Sequence, residues 1–440
     1  MKRSLVTRGL AALAVPAFAG SCATSGDPAL ARLQAPPARA AFSASLVGRG
    51  ARLAALGDCR GCHTAQGGRA FAGGRPLETP FGTIYSTNIT PDAKTGIGLW
   101  PEAAFRRAMR EGVDRSGHHL YPAFPYDRFT LASDADIGAI YAYLMTRPAV
   151  ESRHPGNRLA FPFNVRAFIG VWKALYFRPG PWQDDPAHDA RWNRGAYLAE
   201  GLGHCSSCHT PRNALGAERA DRHFDGGDAE GWHAYAIGAG SQSPLPWTEE
   251  AMRAYLRRGW EARHGVSRGT MAPVTRELAK ADPADVSAIA HYIVSLMPRS
   301  AAAPGVSAAS RAGDPEGARL YASACESCHE GDEPLPFAGI ALRRSIGAAG
   351  ESPRNLLNVI LYGLPPADGA TAPVMPGFAG AMTDAQVAAL ARYLRESFTD
   401  KPPWRDLDAV VREARAAGPR IAQAPAGAMG TDPANVAETR

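Results

Sequence analysis

Six of the seven cysteines in this 440-residue chain form three copies of one short pattern, Cys-x-x-Cys-His. The copies are Cys59-Arg60-Gly61-Cys62-His63, Cys205-Ser206-Ser207-Cys208-His209 and Cys325-Glu326-Ser327-Cys328-His329. Two intervening residues let both sulfurs reach the two vinyl groups of one porphyrin. The next residue then stands beneath the iron, where an imidazole nitrogen can bind the metal. The pattern therefore predicts three covalently bound haem c groups.

Other chemistry is available to paired cysteines. A Cys-x-x-Cys pair can be a thioredoxin-like redox pair or half of a zinc site, and disulfides are the ordinary state in an exported protein. However, a histidine follows all three pairs, and three identical short disulfide loops would constrain little of the chain. We therefore predict that the six cysteines attach haem and that His63, His209 and His329 are the proximal iron ligands.

A second iron ligand is predicted from a shared spacing. Gly259 and Gly363 each end a helix-like run, and Met271 and Met375 follow twelve residues later. A thioether is soft and uncharged, and it raises the reduction potential relative to ligation by two imidazoles. We expect Met271 and Met375 to be the distal ligands of the second and third haems. The alternative, methionines that fill gaps in the core, does not explain the shared spacing.

The first copy lacks this methionine. Phe124 stands twelve residues after Gly112, and phenylalanine cannot coordinate iron. Either the first haem is five-coordinate or water-filled, or a nearby side chain substitutes. His118 and His119 are the nearest imidazoles in the sequence, and we take His119 as the candidate distal ligand. The remaining alternative is that both are solvated surface histidines.

The repeats predict an all-α fold of three tandem cytochrome c-like haem domains. In each unit an opening helix carries a glycine and a closing helix carries a tyrosine, and we expect the two helices to cross at the glycine. The glycines are Gly50, Gly195 and Gly317, and the tyrosines are Tyr143, Tyr292 and Tyr393. The predicted segments are a signal peptide (1–21), domain 1 (44–147), a connector (148–190), domain 2 (191–298), a linker (299–313), domain 3 (314–399) and a C-terminal segment (400–440).

The connector contains an amphipathic helical pattern. Its apolar stripe consists of Val165, Phe168, Ile169, Trp172, Leu175 and Tyr176. We expect this stripe to pack against the chain's own domains or, alternatively, to face a membrane surface or a partner. Beyond residue 400, Trp404, Leu407 and Val411 predict another amphipathic turn or two, followed by a disordered tail from 418 to 440.

The N-terminus has the anatomy of a secretory signal peptide. Basic Lys2, Arg3 and Arg8 precede an apolar run from 9 to 19. Cleavage follows Ala19, or a lipobox ending at Cys22 leaves that cysteine lipidated. The formal charge of +6 falls to +3 without the three basic residues, and no run of like charge indicates nucleic-acid binding. Later segments are too polar to span a bilayer, so we expect a periplasmic protein peripheral to the cytoplasmic membrane.

Stretches outside the haem motifs resemble a known family. Residues 79–92 read Thr-Pro-Phe-Gly-Thr-Ile-Tyr-Ser-Thr-Asn-Ile-Thr-Pro-Asp, and residues 208–213 read Cys-His-Thr-Pro-Arg-Asn. Both resemble the three-haem cytochrome c subunits of bacterial membrane-associated dehydrogenases, and the resemblance covers most of residues 44–400. The segment 121–126, Tyr-Pro-Ala-Phe-Pro-Tyr, is more similar to cytochromes partnered with molybdenum hydroxylases, such as nicotinate or isoquinoline oxidoreductases, than to those serving flavin or quinone dehydrogenases.

The resemblance implies an electron-transfer subunit and not the catalytic one. Such a subunit takes electrons from a dehydrogenase acting on alcohols, sugars, sugar acids or aldehydes, and passes them to ubiquinone or a terminal oxidase. The sequence shows no nucleotide-binding glycine pattern, Ser-His-Asp arrangement or molybdenum motif. Two alternatives stay open: a free-standing multihaem carrier, and a haem enzyme or sensor whose open first haem binds peroxide or a gas.

Overall fold

The computed structural model describes residues 42–298, 313–330, 339–364 and 375–418. The predicted signal peptide, Cys22, residues 299–312 of the linker and the tail after 418 lie outside these ranges. The helices are α1 (Ala44–Leu56), α2 (Cys59–Cys62), α3 (Glu102–Glu111), α4 (Tyr126–Phe129), α5 (Asp134–Met145), α6 (Ala167–Tyr176), α7 (Ala190–Glu200), α8 (Ser206–His209), α9 (Glu249–Arg258), α10 (Met271–Leu278), α11 (Pro283–Leu296), α12 (Pro315–Ala324), α13 (Glu326–His329), α14 (Ile346–Ala349), α15 (Arg354–Tyr362), α16 (Asp384–Phe398) and α17 (Leu407–Ala417).

Three pairs of helices cross at a glycine, as the sequence predicts. The pairs are α1 with α5, α7 with α11, and α12 with α16. A Cβ placed on Gly50 would overlap the carbonyl oxygen of Ala139 and lie 2.8 Å from the Cβ of Tyr143. Gly195 meets Tyr292 in the same way, and Gly317 meets Tyr393. Any side chain at these glycines would therefore force the helices apart.

The helix ends follow from local residue chemistry. Side chains of Ser, Thr and Asp cap the first turns of several of the longer helices, as Ser133 does for α5 and Thr248 does for α9. Gly112, Gly259 and Gly363 end α3, α9 and α15 with φ of 60°, 74° and 70°. Few residues other than glycine adopt this backbone conformation. The three predicted helix ends are confirmed.

The fold is helix-rich, but the expectation of an all-α fold is corrected by strands. The described residues contain seven strands of two to four residues. They are β1 (Pro76–Thr79), β2 (Gly82–Tyr85), β3 (Arg158–Leu159), β4 (Gly227–Ala229), β5 (Trp232–Ala234), β6 (Trp260–Glu261) and β7 (Gly265–Val266). All pairings are antiparallel: β2 lies between β1 and β3, β4 pairs with β5, and β6 pairs with β7. Short turns join β1 to β2, β4 to β5 and β6 to β7, so each of these three pairs is a hairpin.

Two hydrophobic cores are present in the described residues. One is continuous across the segments predicted as domains 1 and 2, and it includes Leu53, Ile137, Leu198 and Ile293. The other is built from α12 to α17. The C-terminal segment adds α17, whose apolar side includes Val411 and is buried on α15 and α16, so the predicted amphipathic turns beyond residue 400 are confirmed.

A half-buried ionic network joins the first two segments. Arg128, in α4 of the first segment, pairs with Glu218 and lies 3.6 Å from Glu200. Burial alone would raise the pKa of Glu200, but hydrogen bonds from His223 and Tyr292 and the charge of Arg128 bring that pKa below its usual value. Both carboxylates therefore share one guanidinium in a site of low dielectric.

Replacing Arg128 by methionine should destabilise the protein. The change keeps the aliphatic bulk but deprives two buried carboxylates of this cation, which costs about 3–5 kcal/mol of the free energy of unfolding. Urea unfolding of the haem-loaded protein measures the loss. Lys94→Met is the control, because Lys94 and Glu151 form an exposed pair worth about 0–1 kcal/mol. Equal losses in the two variants would contradict the structural role of Arg128.

The connector helix α6 divides its apolar residues between two sides. Ile169 is buried, and the indole of Trp172 donates to the carbonyl of Leu215 at 3.0 Å. Phe168, Val171 and Leu175 are exposed. The predicted packing on the chain's own domains therefore accounts for one side of the helix and leaves the other uncovered. No helix in the described part of the chain is long and apolar enough to cross a membrane.

Candidate haem sites

Each attachment motif lies on a single helical turn directly after an opening helix. The backbone N–H of each histidine donates to the carbonyl of the first cysteine, four residues earlier, at 3.0 Å for His63, 3.0 Å for His209 and 3.1 Å for His329. Positions i, i+3 and i+4 share one face of a helix. Each turn therefore presents two sulfurs and one imidazole on the same side.

Each of the three motif histidines makes the same kind of hydrogen bond, from its ring to a backbone carbonyl. Nδ1 of His63 donates to the carbonyl of Thr87 at 2.7 Å, Nδ1 of His209 to Tyr235 at 2.6 Å, and Nδ1 of His329 to Ile340 at 2.9 Å. A carbonyl only accepts, so the proton resides on Nδ1 and the lone pair of Nε2 stays free for a metal. Haem-ligating and other metal-ligating histidines are oriented by such a partner on the second nitrogen.

Burial favours the neutral forms of the histidines and cysteines at the first two motifs. It lowers the pKa of His63 and of His209, although their carbonyl partners act in the opposite direction. Burial also raises the pKa of Cys59, Cys62 and Cys205 to about 12. None of the six motif cysteines forms a disulfide. A thioredoxin-like pair requires a lowered thiol pKa, so this arrangement fits thioether formation better than thiol redox chemistry.

The carbonyl acceptors come from segments that the sequence did not single out. Thr87 lies two residues after β2 ends, and Tyr235 directly follows β5. The signal that could have found them is Gly82, the first residue of β2, and Gly231, in the turn between β4 and β5, both with φ above 80°. The hairpins thus set the orientation of two of the three imidazoles.

The structure places Met375 beside Gly363, and it places the helix that begins at Met271 beside Gly259. Met271 begins α10 and is half-buried against the core. The Gly259 position adjoins α10 through Thr275, to which a Cβ would come within 3.1 Å. Met375 forms a two-way backbone bridge with Leu364, directly after Gly363. Each methionine lies in a segment that packs against the unit to which it belongs.

In the first unit, the equivalent loop presents an aromatic ring. Phe124 is half-buried, and its ring makes an edge contact with Phe129 at 5.3 Å between centroids. No thioether occupies the position that the spacing assigns to the ligand.

The structure gives His119 a different partner. Nζ of Lys173 donates to its Nδ1 at 3.1 Å, so the proton of the neutral ring resides on Nε2. Nε2 faces Gly170, where a Cβ would lie 3.2 Å away. Both ring nitrogens therefore face α6. His118 is exposed and pairs with Asp114 at 3.3 Å. For Nδ1 of His119 to bind iron, this hydrogen bond to α6 would have to break, and the assignment of His119 as a distal ligand stays a prediction.

Comparison with known proteins decides the family. The chain is 34% identical over 413 residues to the fructose dehydrogenase cytochrome subunit of Gluconobacter japonicus, covering 85% of this chain and 84% of that protein. It is 37% identical over 385 residues to the gluconate 2-dehydrogenase cytochrome c subunit of Pantoea cypripedii, covering 80% and 86%. The chain belongs to the cytochrome c subunits of dehydrogenases. The family resemblance in the sequence is thereby confirmed.

Two further matches refine this placement. Residues 312–394 of this cytochrome c subunit match the family described as cytochrome c oxidase, cbb3-type, subunit III. The chain is also 45% identical over 390 residues to a nicotinate dehydrogenase subunit of Pseudomonas putida, covering 87% of this chain and 33% of that longer protein. The chain thus spans about a third of that relative. Membership in the family implies covalently bound haem c and an electron-transfer role.

Proposed function

We propose that the chain is a triheme c-type cytochrome with three tandem cytochrome c domains at 44–147, 191–298 and 314–399. It serves in the periplasm, where it takes electrons from the catalytic subunit of a dehydrogenase and passes them to ubiquinone or a terminal oxidase. The observation that carries the proposal is the imidazole-to-carbonyl hydrogen bond that recurs beside all three motifs, at His63, His209 and His329. Each bond prepares one nitrogen for iron next to a pair of free thiols.

The chain's residues divide the work of electron transfer. The six thiols would hold three haems as thioethers, and the three motif histidines would bind their irons. Haem would supply reversible one-electron chemistry at each site. Met271 and Met375, as thioether ligands, would raise the reduction potentials of the second and third sites relative to ligation by two imidazoles. The protein contributes position, burial and ligand identity, and substrate oxidation takes place on another subunit.

The donor is a molybdenum hydroxylase or a flavin- or quinone-dependent dehydrogenase. The similarity to the nicotinate dehydrogenase subunit of Pseudomonas putida, together with the segment around Phe124, favours the molybdenum type. Relatives named for fructose, gluconate and alcohol dehydrogenases support the other type. The substrate that reduces the haems would show which of these two types is the donor.

Substrate-driven reduction tests the proposal. The chain is purified anaerobically with its native complex, and nicotinate, fructose, gluconate or ethanol is added. One substrate should reduce the haems, seen as growth of the visible band of reduced cytochrome c, and a ubiquinone analogue should then reoxidise them. A chain that purifies without any catalytic subunit and stays oxidised with every substrate would instead favour a free-standing carrier.

We further propose that the first site has no protein ligand on its distal side. The observations that support this are the phenyl ring at position 124 and the engagement of His119 with Lys173. An open position makes the first site able to bind small molecules, as in the alternative of a peroxide enzyme or gas sensor. Phenylalanine in place of methionine also removes the thioether that would raise this site's potential.

Carbon monoxide binding tests the open site. The reduced protein should bind one equivalent for every three haems, and Phe124→Met should abolish binding because it restores a thioether at the expected spacing. Phe81→Met is the matched control, since Phe81 is a half-buried ring elsewhere in the same unit and should leave binding unchanged. If the reduced wild-type protein does not bind carbon monoxide, the proposal is contradicted, and a protein side chain must occupy the distal side of the first site.

We propose that the uncovered side of α6 rests on the anionic membrane surface. The exposed apolar residues around this helix are Phe161, Val165, Phe168, Val171, Leu175 and Tyr176, and Phe161 and Val171 are 77% and 58% exposed. Residues 152–183 contain five basic residues and no acidic one. An apolar helix face flanked by arginine and lysine suits the interface of a negatively charged bilayer.

Sedimentation with vesicles of phosphatidylglycerol and phosphatidylcholine measures this association. The double change Phe168→Ser and Leu175→Ser should weaken binding at least about tenfold, since burying one such side chain contributes about 1.5–3 kcal/mol. Trp260→Ser is the control, because Trp260 is an exposed aromatic residue outside the connector. Equal binding by the double variant and the wild-type protein would remove α6 from the membrane contact.

A further inference from the structure

The β4–β5 hairpin contacts all three units. Its last strand leads directly into Tyr235, whose carbonyl accepts the Nδ1 proton of His209. The hairpin belongs to the second unit by sequence, yet polar groups of the first and third units bind its backbone and its tip. The position of the Tyr235 carbonyl therefore depends on residues far away in the sequence.

The third unit binds the hairpin through Asn355. The side-chain oxygen of this residue accepts from the N–H of His233 at 2.9 Å, and its Nδ2 donates to the carbonyl of His233 at 2.7 Å. Asn355 is buried. One side chain thus satisfies both backbone groups of a strand residue, as a neighbouring strand would. Asn358, one turn later on α15, donates to the carbonyl of Gly231 at 3.1 Å.

The first unit binds the hairpin tip through Arg75. This arginine donates to both carboxylate oxygens of Glu230, at 3.0 and 2.9 Å, and through its other terminal nitrogen to the carbonyl of Gly61 at 2.8 Å. Gly61 lies inside the first attachment motif. The tip of the hairpin is therefore held at the first site while its last strand is held by the third unit.

We propose that Asn355 is a positioning residue for the second haem site and acts through the Tyr235 carbonyl on His209. The inference rests on the proposed function, because it assumes that His209 binds iron. Backbone groups two residues apart in a strand face the same edge, so Asn355 binds His233 on the edge from which Tyr235 accepts. The ring of Tyr235 also lies against Gly350 of the third unit.

Loss of Asn355 should loosen the segment 233–235 while Arg75 still holds the tip. The hydrogen bond from His209 then weakens, and its imidazole donates less electron density to the metal. Ferric iron is the state that this electron density stabilises. The midpoint potential of the second site should therefore rise, with little change at the first and third sites.

Redox titration of the haem-loaded protein tests this, with the second site assigned as the wave that Met271→His moves. Asn355→Ala should shift that wave to higher potential, and Asn358→Ala should shift it less because Gly231 lies farther from Tyr235. Tyr362→Phe is the control on the same helix, since the Tyr362 hydroxyl donates to the carbonyl of Ala414 inside the third unit, and it should leave that wave in place.

The outcomes separate this inference from the proposed function. Three waves in the wild-type protein with no shift in either asparagine variant would overturn the role of Asn355 alone. Equal movement of all three waves would do so too, because it would indicate general loosening. Fewer than three covalent haems in the wild-type protein would overturn the proposed function. If Asn355→Ala does not fold, Asn358→Ala still carries the comparison with Tyr362→Phe.

Discussion

The double change Cys205→Ser and Cys208→Ser is expected to yield a protein with two covalent haems in place of three. A serine hydroxyl does not form the thioether that fixes a vinyl group, so the second site loses its attachment while the other motifs keep theirs. The mass of the intact protein measures this directly, and a pyridine haemochrome assay gives the haem-to-protein ratio independently. The segment proposed as domain 2 should also lose stability, because a bound haem would complete its core.

Cys22→Ser is the matched control for this prediction. Cys22 is the seventh cysteine and lies outside every attachment motif, so the haem count should stay at three. The same control bears on lipidation: a lipid-sized mass on the N-terminal residue of the wild-type protein that Cys22→Ser lacks is the result expected of a lipobox. Three haems in the double serine variant, or no haem in the wild-type protein, would contradict the attachment scheme.

Met271→His is expected to lower the reduction potential of one haem by a sizeable part of the roughly 0.8 V range that axial ligands control. Imidazole stabilises ferric iron relative to a thioether, so the second site becomes harder to reduce. Redox titration should show one wave moved downward, and the charge-transfer band of thioether-bound ferric haem should lose intensity. Electron transfer through the chain should slow accordingly.

Met252→Leu tests whether this shift is specific to ligation. Met252 is a buried core methionine on α9 of the same unit, and leucine replaces it with little change in volume. No wave should move. If Met271→His leaves all potentials unchanged, Met271 is a core residue, and the spacing from Gly259 has another cause.

The architecture could be anticipated where the chain repeats a local signal. Gly112, Gly259 and Gly363 end their helices as expected because a positive φ is a property of one residue type. The crossing of α1 with α5 was anticipated from Gly50 for a similar reason, since a missing side chain permits backbone contact. These features depend on residues that are close in sequence or on a pattern seen three times.

The orientation of the imidazoles could not be anticipated in this way. Their partners are backbone carbonyls, at Thr87 and Tyr235 for the first two sites, and every residue has a carbonyl. Which carbonyl accepts from Nδ1 depends on the path of hairpins whose strands are only three or four residues long. The asparagine that binds one of these hairpins, Asn355, lies 122 residues from His233.

The prediction for His119 shows the same limit. Nearness in sequence to Phe124 suggested an iron ligand, whereas the structure pairs the ring with Lys173, 54 residues away. Because the lysine ammonium can only donate, Nδ1 of this histidine accepts the hydrogen bond with its lone pair. Only the packing of α6 on the first unit brings these two side chains together.

By itself the sequence determined which residues are available for chemistry. They are three Cys-x-x-Cys-His motifs, two methionines at a shared spacing, and one phenylalanine at the corresponding position of the first unit. Covalent and ligand chemistry belongs to residue types at short spacings, so it can be seen without a fold. Only the tertiary structure decided which carbonyl orients His209, how Asn355 binds the hairpin beside it, and which side of α6 stays uncovered. Those properties arise from backbone atoms and surfaces that come together only when distant segments pack.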